Sequence, residues 1–180
     1  MKSFLRIALL IALAATASPA GEAVLNKQDL TTIKGSILLP EGWFLKEDTD
    51  DGVTIYQITR EKIEKEGDPF TTGLIVTVTP KVTERTEMKP SAYALDLLPS
   101  GDDEGAKDMI KTEEGPLKSF RAGYFIEGEL GNIKVVNIAK ANDGTETLYF
   151  LTWQSPEAED AALKDLREKI LSSFTPDPAY

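Results

Sequence analysis

Thr147-Leu148-Tyr149-Phe150-Leu151-Thr152-Trp153-Gln154 is the stretch on which the fold of this chain turns. Successive side chains of a strand point to opposite faces, so Leu148 and Phe150 face one way while Tyr149, Leu151 and Trp153 face the other. Large apolar groups therefore stand on both sides. The same two-sided pattern recurs in Val53 and Ile55 against Tyr56 and Ile58, and in Val135 against Val136 and Ile138. A sheet wetted on one face would alternate apolar with polar residues, so this one needs a layer on each face. The expected fold class is α+β: an antiparallel β-sheet flanked by helices on both faces, an α/β/α sandwich.

The layers are legible on either side of that strand. Downstream, Ser155 is placed as an N-cap, Pro156 as a first helical residue, and Glu157 and Glu159 as acids at the positive helix end. Leu163, Leu166, Ile170 and Phe174 then line one side of a terminal helix, with Lys164, Asp165, Arg167 and Glu168 on the other. Upstream, Ala92, Ala94, Leu95 and Leu98 have helical spacing, Pro99-Ser100-Gly101 interrupts, and Asp102 to Lys111 reads as a second short helix. The remaining strands are expected at Ile33 to Leu39, from Trp43-Phe44-Leu45, at Val53 to Ile58, Leu74 to Val78, Ala122 to Gly128 and Ile133 to Ala139. Leu74 to Val78 is the most β-branched and is the expected central strand. Turns are read at Pro40-Glu41-Gly42, Asp48 to Gly52 and Asn142-Asp143-Gly144.

The front of the chain has the pattern of an export signal. Lys2 and Arg6 give a positive start, Ile7 to Ala15 an apolar run, and Ala15-Thr16-Ala17 or Ser18-Pro19-Ala20 a small-residue cleavage site. The expected organisation is residues 1–20 as signal peptide, 21–30 as polar lead-in, 31–175 as one domain and 176–180 as a tail. Roughly 160 residues would remain after cleavage near Ala20, enough for one self-sufficient core. A lipoprotein would need a cysteine, and an anchor about 20 consecutive apolar residues. The expected location is periplasmic or secreted, without stable membrane insertion.

The chain has no histidine, no cysteine and a formal charge of −10 from 20 basic and 30 acidic residues. Loss of Lys2 and Arg6 would make it more acidic still. Without histidine or cysteine, Ser-His-Asp and Cys-His nucleophiles and histidine or thiolate metal sites are excluded. Nucleic acid and anionic membrane surfaces, which are bound by clustered lysine and arginine, are poor partners.

Several segments together resemble the PsbP/Mog-type superfamily, which includes DcrB-like exported proteins. They are Leu39-Pro40-Glu41-Gly42-Trp43, Gly73-Leu74-Ile75-Val76-Thr77-Val78, Gly123-Tyr124, and Tyr149-Phe150-Leu151-Thr152-Trp153-Gln154-Ser155-Pro156 through Ile170-Leu171-Ser172-Ser173-Phe174. The resemblance implies an antiparallel sheet between helices and a binding or assembly role in place of catalysis. Metal sites of some members use histidine, so none is carried over.

Glu47-Asp48-Thr49-Asp50-Asp51-Gly52 is the densest acidic cluster. Read as a calcium loop it has Ile58 at the twelfth position, where a bidentate glutamate is needed, so a solvated hairpin turn explains it better. Ser100 to Gly105 is a second acidic loop that reads as helix capping. Glu127 and Glu129, near Tyr124 and Phe125, come nearest to a carboxylate pair for glycoside hydrolysis, and strand-edge solvation accounts for them. Trp43, Tyr56, Tyr124, Tyr149 and Trp153 read mainly as core, with Trp43 and then Tyr124 the two aromatics most open to a ligand or partner.

The expected function is that of a non-enzymatic exported accessory or assembly module that binds another envelope protein, with Trp43, Asp48, Asp50 and Asp51 as its contact residues and no catalytic residue or cofactor. Alternatives are binding of a small ligand or of a divalent cation, weakly Ca²⁺, and, third, hydrolysis by carboxylates alone.

Overall fold

The computed structural model describes residues 23–65, 69–99, 107–127, 131–177 and 179–180. The chain begins with β1 (Leu25–Leu30), a 3-10 turn (Thr31–Ile33) and β2 (Gly35–Pro40), followed by β3 (Phe44–Asp50), β4 (Val53–Thr59) and β5 (Gly73–Thr79). Two short helices, α1 (Val82–Thr86) and α2 (Pro90–Asp96), precede β6 (Lys107–Glu114), β7 (Leu117–Ile126), β8 (Ile133–Asn142) and β9 (Thr147–Pro156). Helix α3 (Glu157–Ser173) closes the succession.

Strands β3 to β9 form one seven-stranded sheet in the order β3-β4-β5-β9-β8-β7-β6, with antiparallel pairing throughout. The centre is β9, not β5 as its β-branched composition suggested. The strand with large apolar groups on both faces is the one that two layers must flank. Its faces divide as the alternation requires: Tyr149, Leu151 and Trp153 join one core cluster and Leu148 the other, with Phe150 packed against that second cluster.

The first cluster lies under α3 and the β1–β2 hairpin. Leu30, Ile33 and Ile37 from the hairpin and Ile170, Leu171 and Phe174 from α3 and its end cover Tyr56, Ile58, Leu74, Val76, Val78, Leu151 and Trp153. The second lies under α1 and α2, where Val82, Ala94 and Leu98 meet Phe120, Ala122, Ala139, Ala141 and Leu148. The alanines on β7 and β8 let α2 approach the sheet closely.

Several expectations are corrected. The lead-in up to Leu30 contains β1, which pairs with β2 from Leu25↔Pro40 to Leu30↔Gly35. Its Lys27 and Asp29 are exposed because an outer hairpin strand buries one face only. Residues 107–111 are strand, since pairing of Ile110 with Arg121 and Lys111 with Phe120 outweighs local helix preference; the remainder of that expected helix, and the Ser100 to Gly105 loop, lie outside the described residues. Ser155 stays in β9, buried, and accepts a hydrogen bond from the Trp153 indole at 3.2 Å. Pro156 holds the N-cap position, and Asn132 serves the helix start: its carbonyl accepts from Glu157 N and its amide donates to the Glu157 carboxylate, both at 2.9 Å. Arg167 is 5% exposed, not on the wet face, because Asp160 and Glu168 both accept its hydrogen bonds.

The expected tail is pinned as well. Ser36 and Thr175 exchange backbone hydrogen bonds of 2.9 Å each way, Pro176 is buried and Tyr180 packs against the first cluster.

Candidate functional site

The two layers do not cover equal areas. Helices α1 and α2 sit over the end of the sheet where β5 finishes and β9 begins, held there by specific bonds. Val82 N donates to the Glu146 carbonyl at 2.9 Å. Asp143, in the β8–β9 turn, accepts from Ser91 N at 2.9 Å, Ser91 Oγ at 2.8 Å and Lys118 Nζ at 2.7 Å. Burial alone would raise the Asp143 carboxyl, but the bonds from Lys118 and Ser91 outweigh it and hold the group below the ordinary aspartate range.

Beyond α2 the same face is left partly open, as a hollow of about 390 Å³. Its floor comes from four adjacent strands: Thr77 and Thr79 of β5, Phe150 and Thr152 of β9, Asn137 of β8 and Tyr124 of β7. Register brings them together, since Thr77 pairs with Phe150 and Thr152 with Asn137. Tyr93 of α2 and Leu97 at its end supply the wall. Leu97 and its neighbour Leu95 are 39% and 44% exposed, so the rim continues as an apolar lip.

Among the described residues, none that lines this hollow is charged. Asn137 is 4% exposed; its Nδ2 donates to the Tyr124 hydroxyl at 3.2 Å, and its Oδ1 is buried without a partner. The Tyr124 hydroxyl accepts that bond, and its own proton has no acceptor among the described residues. Hydrogen-bonding capacity therefore remains unspent where apolar and aromatic surface is partly exposed, the composition of a ligand or side-chain pocket.

A second hollow, of about 250 Å³, lies on the opposite face between α3 and the β6–β7 hairpin. Its charged groups are engaged: Lys140 donates to the Phe174 carbonyl at 3.3 Å, and Arg121 and Glu168 pair with each other. Arg121 donates to both Glu168 oxygens, at 2.7 and 2.6 Å, and these bonds, ahead of burial, hold Glu168 below the ordinary glutamate range. This pair, joined by Arg167 and Asp160, fastens α3 to the sheet.

The residues singled out from the sequence are divided between two surfaces. Trp43 stacks on Trp153, with ring centroids 5.9 Å apart and planes 24° apart, and packs against the first core cluster. Asp48 and Asp50 lie in β3, an edge strand, and Asp51 with Gly52 makes the hairpin turn at φ 45° and 74°, the type I′ geometry that Asp-Gly favours. Seven residues of extended strand put about 23 Å between Trp43 and Asp50. Trp43 and the aspartates thus do not form one patch.

The acidic cluster does not converge on a cation either. Asp48 accepts from Thr49 N at 2.8 Å, Asp51 pairs with Arg85 at 3.0 Å, and no group of three or more Asp or Glu among the described residues is arranged to hold a metal. Glu127 is exposed, while Glu129 lies outside the described residues. Of the aromatics, Tyr56, Tyr149 and Trp153 are core and Tyr124 is in the hollow. Sequence reasoning missed Asn137, Thr77, Thr152 and Leu97. Their signal was the threonine and asparagine at buried-strand positions on one face only.

No family model matches the chain, and no curated protein does. Among solved structures, it is similar to cyanobacterial PsbP (CyanoP) from Synechocystis sp. PCC 6803, with 15% identity over 91% of this chain and 99% of that one and a TM-score of 0.55. It also aligns with the Ran-binding protein Mog1p of Saccharomyces cerevisiae, at 12% identity over 84% of this chain and 95% of that one, with a TM-score of 0.45. The first likeness shows that this chain has the PsbP-type fold. No helix among the described residues is long and apolar enough to cross a membrane.

Proposed function

We propose that the protein is an exported, DcrB-like, non-catalytic module that binds another protein of the cell envelope, and that the hollow beside α2 with its leucine lip is the recognition surface. The observation that carries this reading is the unequal covering of the sheet. One face is covered by α3 and the β1–β2 hairpin, apart from the hollow in which Arg121 and Glu168 are already paired, whereas the other leaves Phe150, Tyr93 and Tyr124 half-buried and Leu95 and Leu97 exposed. Exposed apolar groups grouped around a concavity mark interaction sites, and single scattered ones do not. The described residues that line the hollow are apolar, aromatic, hydroxyl and amide groups, the composition of a binding surface.

A photoreactive residue replacing Leu95, compared with one replacing the exposed Lys164 of α3, tests the reading in intact cells. A discrete protein adduct from Leu95 and none from Lys164 is the expected result; equal labelling from both, or none, would contradict it. Sequencing the N-terminus of the protein in the envelope fraction tests export, with a start near Gly21 expected and retention of Lys2 and Arg6 the contrary outcome.

A further inference from the structure

We infer that the hollow receives an uncharged aromatic side chain of the partner protein, tyrosine in preference to phenylalanine, presented beside basic residues that reach Asp48 and Asp50. This rests on the reading of the hollow as a recognition site and adds what enters it.

The walls set the chemistry of the anchor. None of the described residues that line the hollow carries a charge, so among them a buried charge would find no partner, which disfavours charged anchors. Tyr93, Tyr124 and Phe150 offer ring faces and edges against which another aromatic ring packs. Because the Tyr124 hydroxyl already accepts from Asn137, its remaining capacity is as a donor. A phenol oxygen entering the hollow can accept that proton, and a phenylalanine ring cannot.

The sheet register connects this anchor site to the acidic edge. Asp48 pairs with Ile55, Ile55 with Thr77, and Thr77 with Phe150, so one row on one face runs from the edge into the hollow. Two strand spacings place Asp48 about 10 Å from Thr77. Asp50 shares that face by alternation. Asp51 is engaged by Arg85, and Lys46, also on that face, reduces the local negative charge without cancelling it. An extended partner segment covers about 7 to 10 Å in two or three residues, the spacing needed to set a lysine or arginine over Asp48 when its tyrosine is in the hollow. Trp43 has no part in this contact, since it is stacked into the opposite layer.

Nuclear magnetic resonance titration of the protein with three synthetic peptides tests the inference: one with a tyrosine between lysines, one with glutamates in place of the lysines, and one with phenylalanine in place of the tyrosine. The lysine–tyrosine peptide is expected to shift Thr77, Tyr124, Thr152 and Asp48 together, and each altered peptide to bind weaker by on the order of tenfold. In a protein carrying Asp48→Asn and Asp50→Asn, the preference for lysine over glutamate should vanish while the hollow resonances still move. Shifts confined to other surfaces, or equal affinity whatever the flanking charge, would overturn the inference. So would free p-cresol binding as tightly as the peptide, which would make the hollow a small-molecule pocket. If Leu95 forms a protein adduct in cells but these peptides fail, only the inference falls; if no adduct forms, the proposed function fails by itself.

Discussion

The face of the sheet under α3 and the face under α1 and α2 are made from the same strands, yet they differ in what they carry. Toward α3 the strands present Tyr56, Ile58, Leu74, Val76, Tyr149, Leu151 and Trp153, all buried. Toward α2 the same β5, β8 and β9 present Thr77, Thr79, Asn137, Phe150 and Thr152, among which a 390 Å³ hollow remains. A strand has two independent rows of side chains. One row here supplies the apolar burial on which stability depends, which leaves the other free to be small, polar and partly open.

Truncating the largest side chain of the sealed face should have the greatest effect. Trp153→Ala is expected to lower stability by about 3 to 5 kcal/mol, and Phe150→Ala on the open face by roughly half that or less, because its ring is already partly exposed. Urea unfolding of both variants reads the difference. Equal losses would erase the distinction between the faces.

Acid should loosen both helical layers. Asp143 ties α2 to the β8–β9 turn and Glu168 ties α3 to β7, and both carboxyls are held below their ordinary range. A carboxyl depressed in the folded state stabilises above its unfolded pKa of about 4, and that stabilisation is lost as pH falls through the lower folded value. Unfolding midpoints should therefore drop below about pH 4. Glu168→Gln or Asp143→Asn should each make that drop shallower. Asp143→Asn should also speed hydrogen exchange in α2 while leaving α3 unchanged, and the reverse pattern would reassign the anchor.

The smallest effect is expected at the edge. Asp51→Asn breaks the exposed pair with Arg85 and should cost no more than about 0.5 kcal/mol, measured by the same denaturation. A larger loss would make the hairpin tip structural.

The seven-stranded frame was largely readable because it rests on local alternation: β9 announced two buried faces, and Leu163, Leu166 and Ile170 announced the packed side of α3. Arg167 was misplaced because its charge was read ahead of its position: it lies four residues after Leu163 and three before Ile170, on the packed side, where Asp160 and Glu168 of the same helix accept its hydrogen bonds. Strands β1 and β6 were hidden because they are polar segments that become strands only through their partners. The hollow was the least legible feature. Its extent depends on how far α2 reaches over the sheet, and that reach is set by Asp143 holding Ser91, a contact between segments far apart in the chain. Asp48 and Asp50 were picked out by charge, and only the register places them on the face of Tyr124 and not with Trp43.

Leu97→Lys gives the most direct test of the division between the two faces, with two quantities measured on the one variant: the urea midpoint, and the yield of the protein adduct formed in cells from a photoreactive residue at Leu95. The expected result is an unfolding free energy from that midpoint within about 0.5 kcal/mol of the parent, as for other surface changes, together with loss of the adduct. An unchanged adduct, or a lost adduct accompanied by a collapsed midpoint, would contradict the claim that this face is built for recognition and the other for stability.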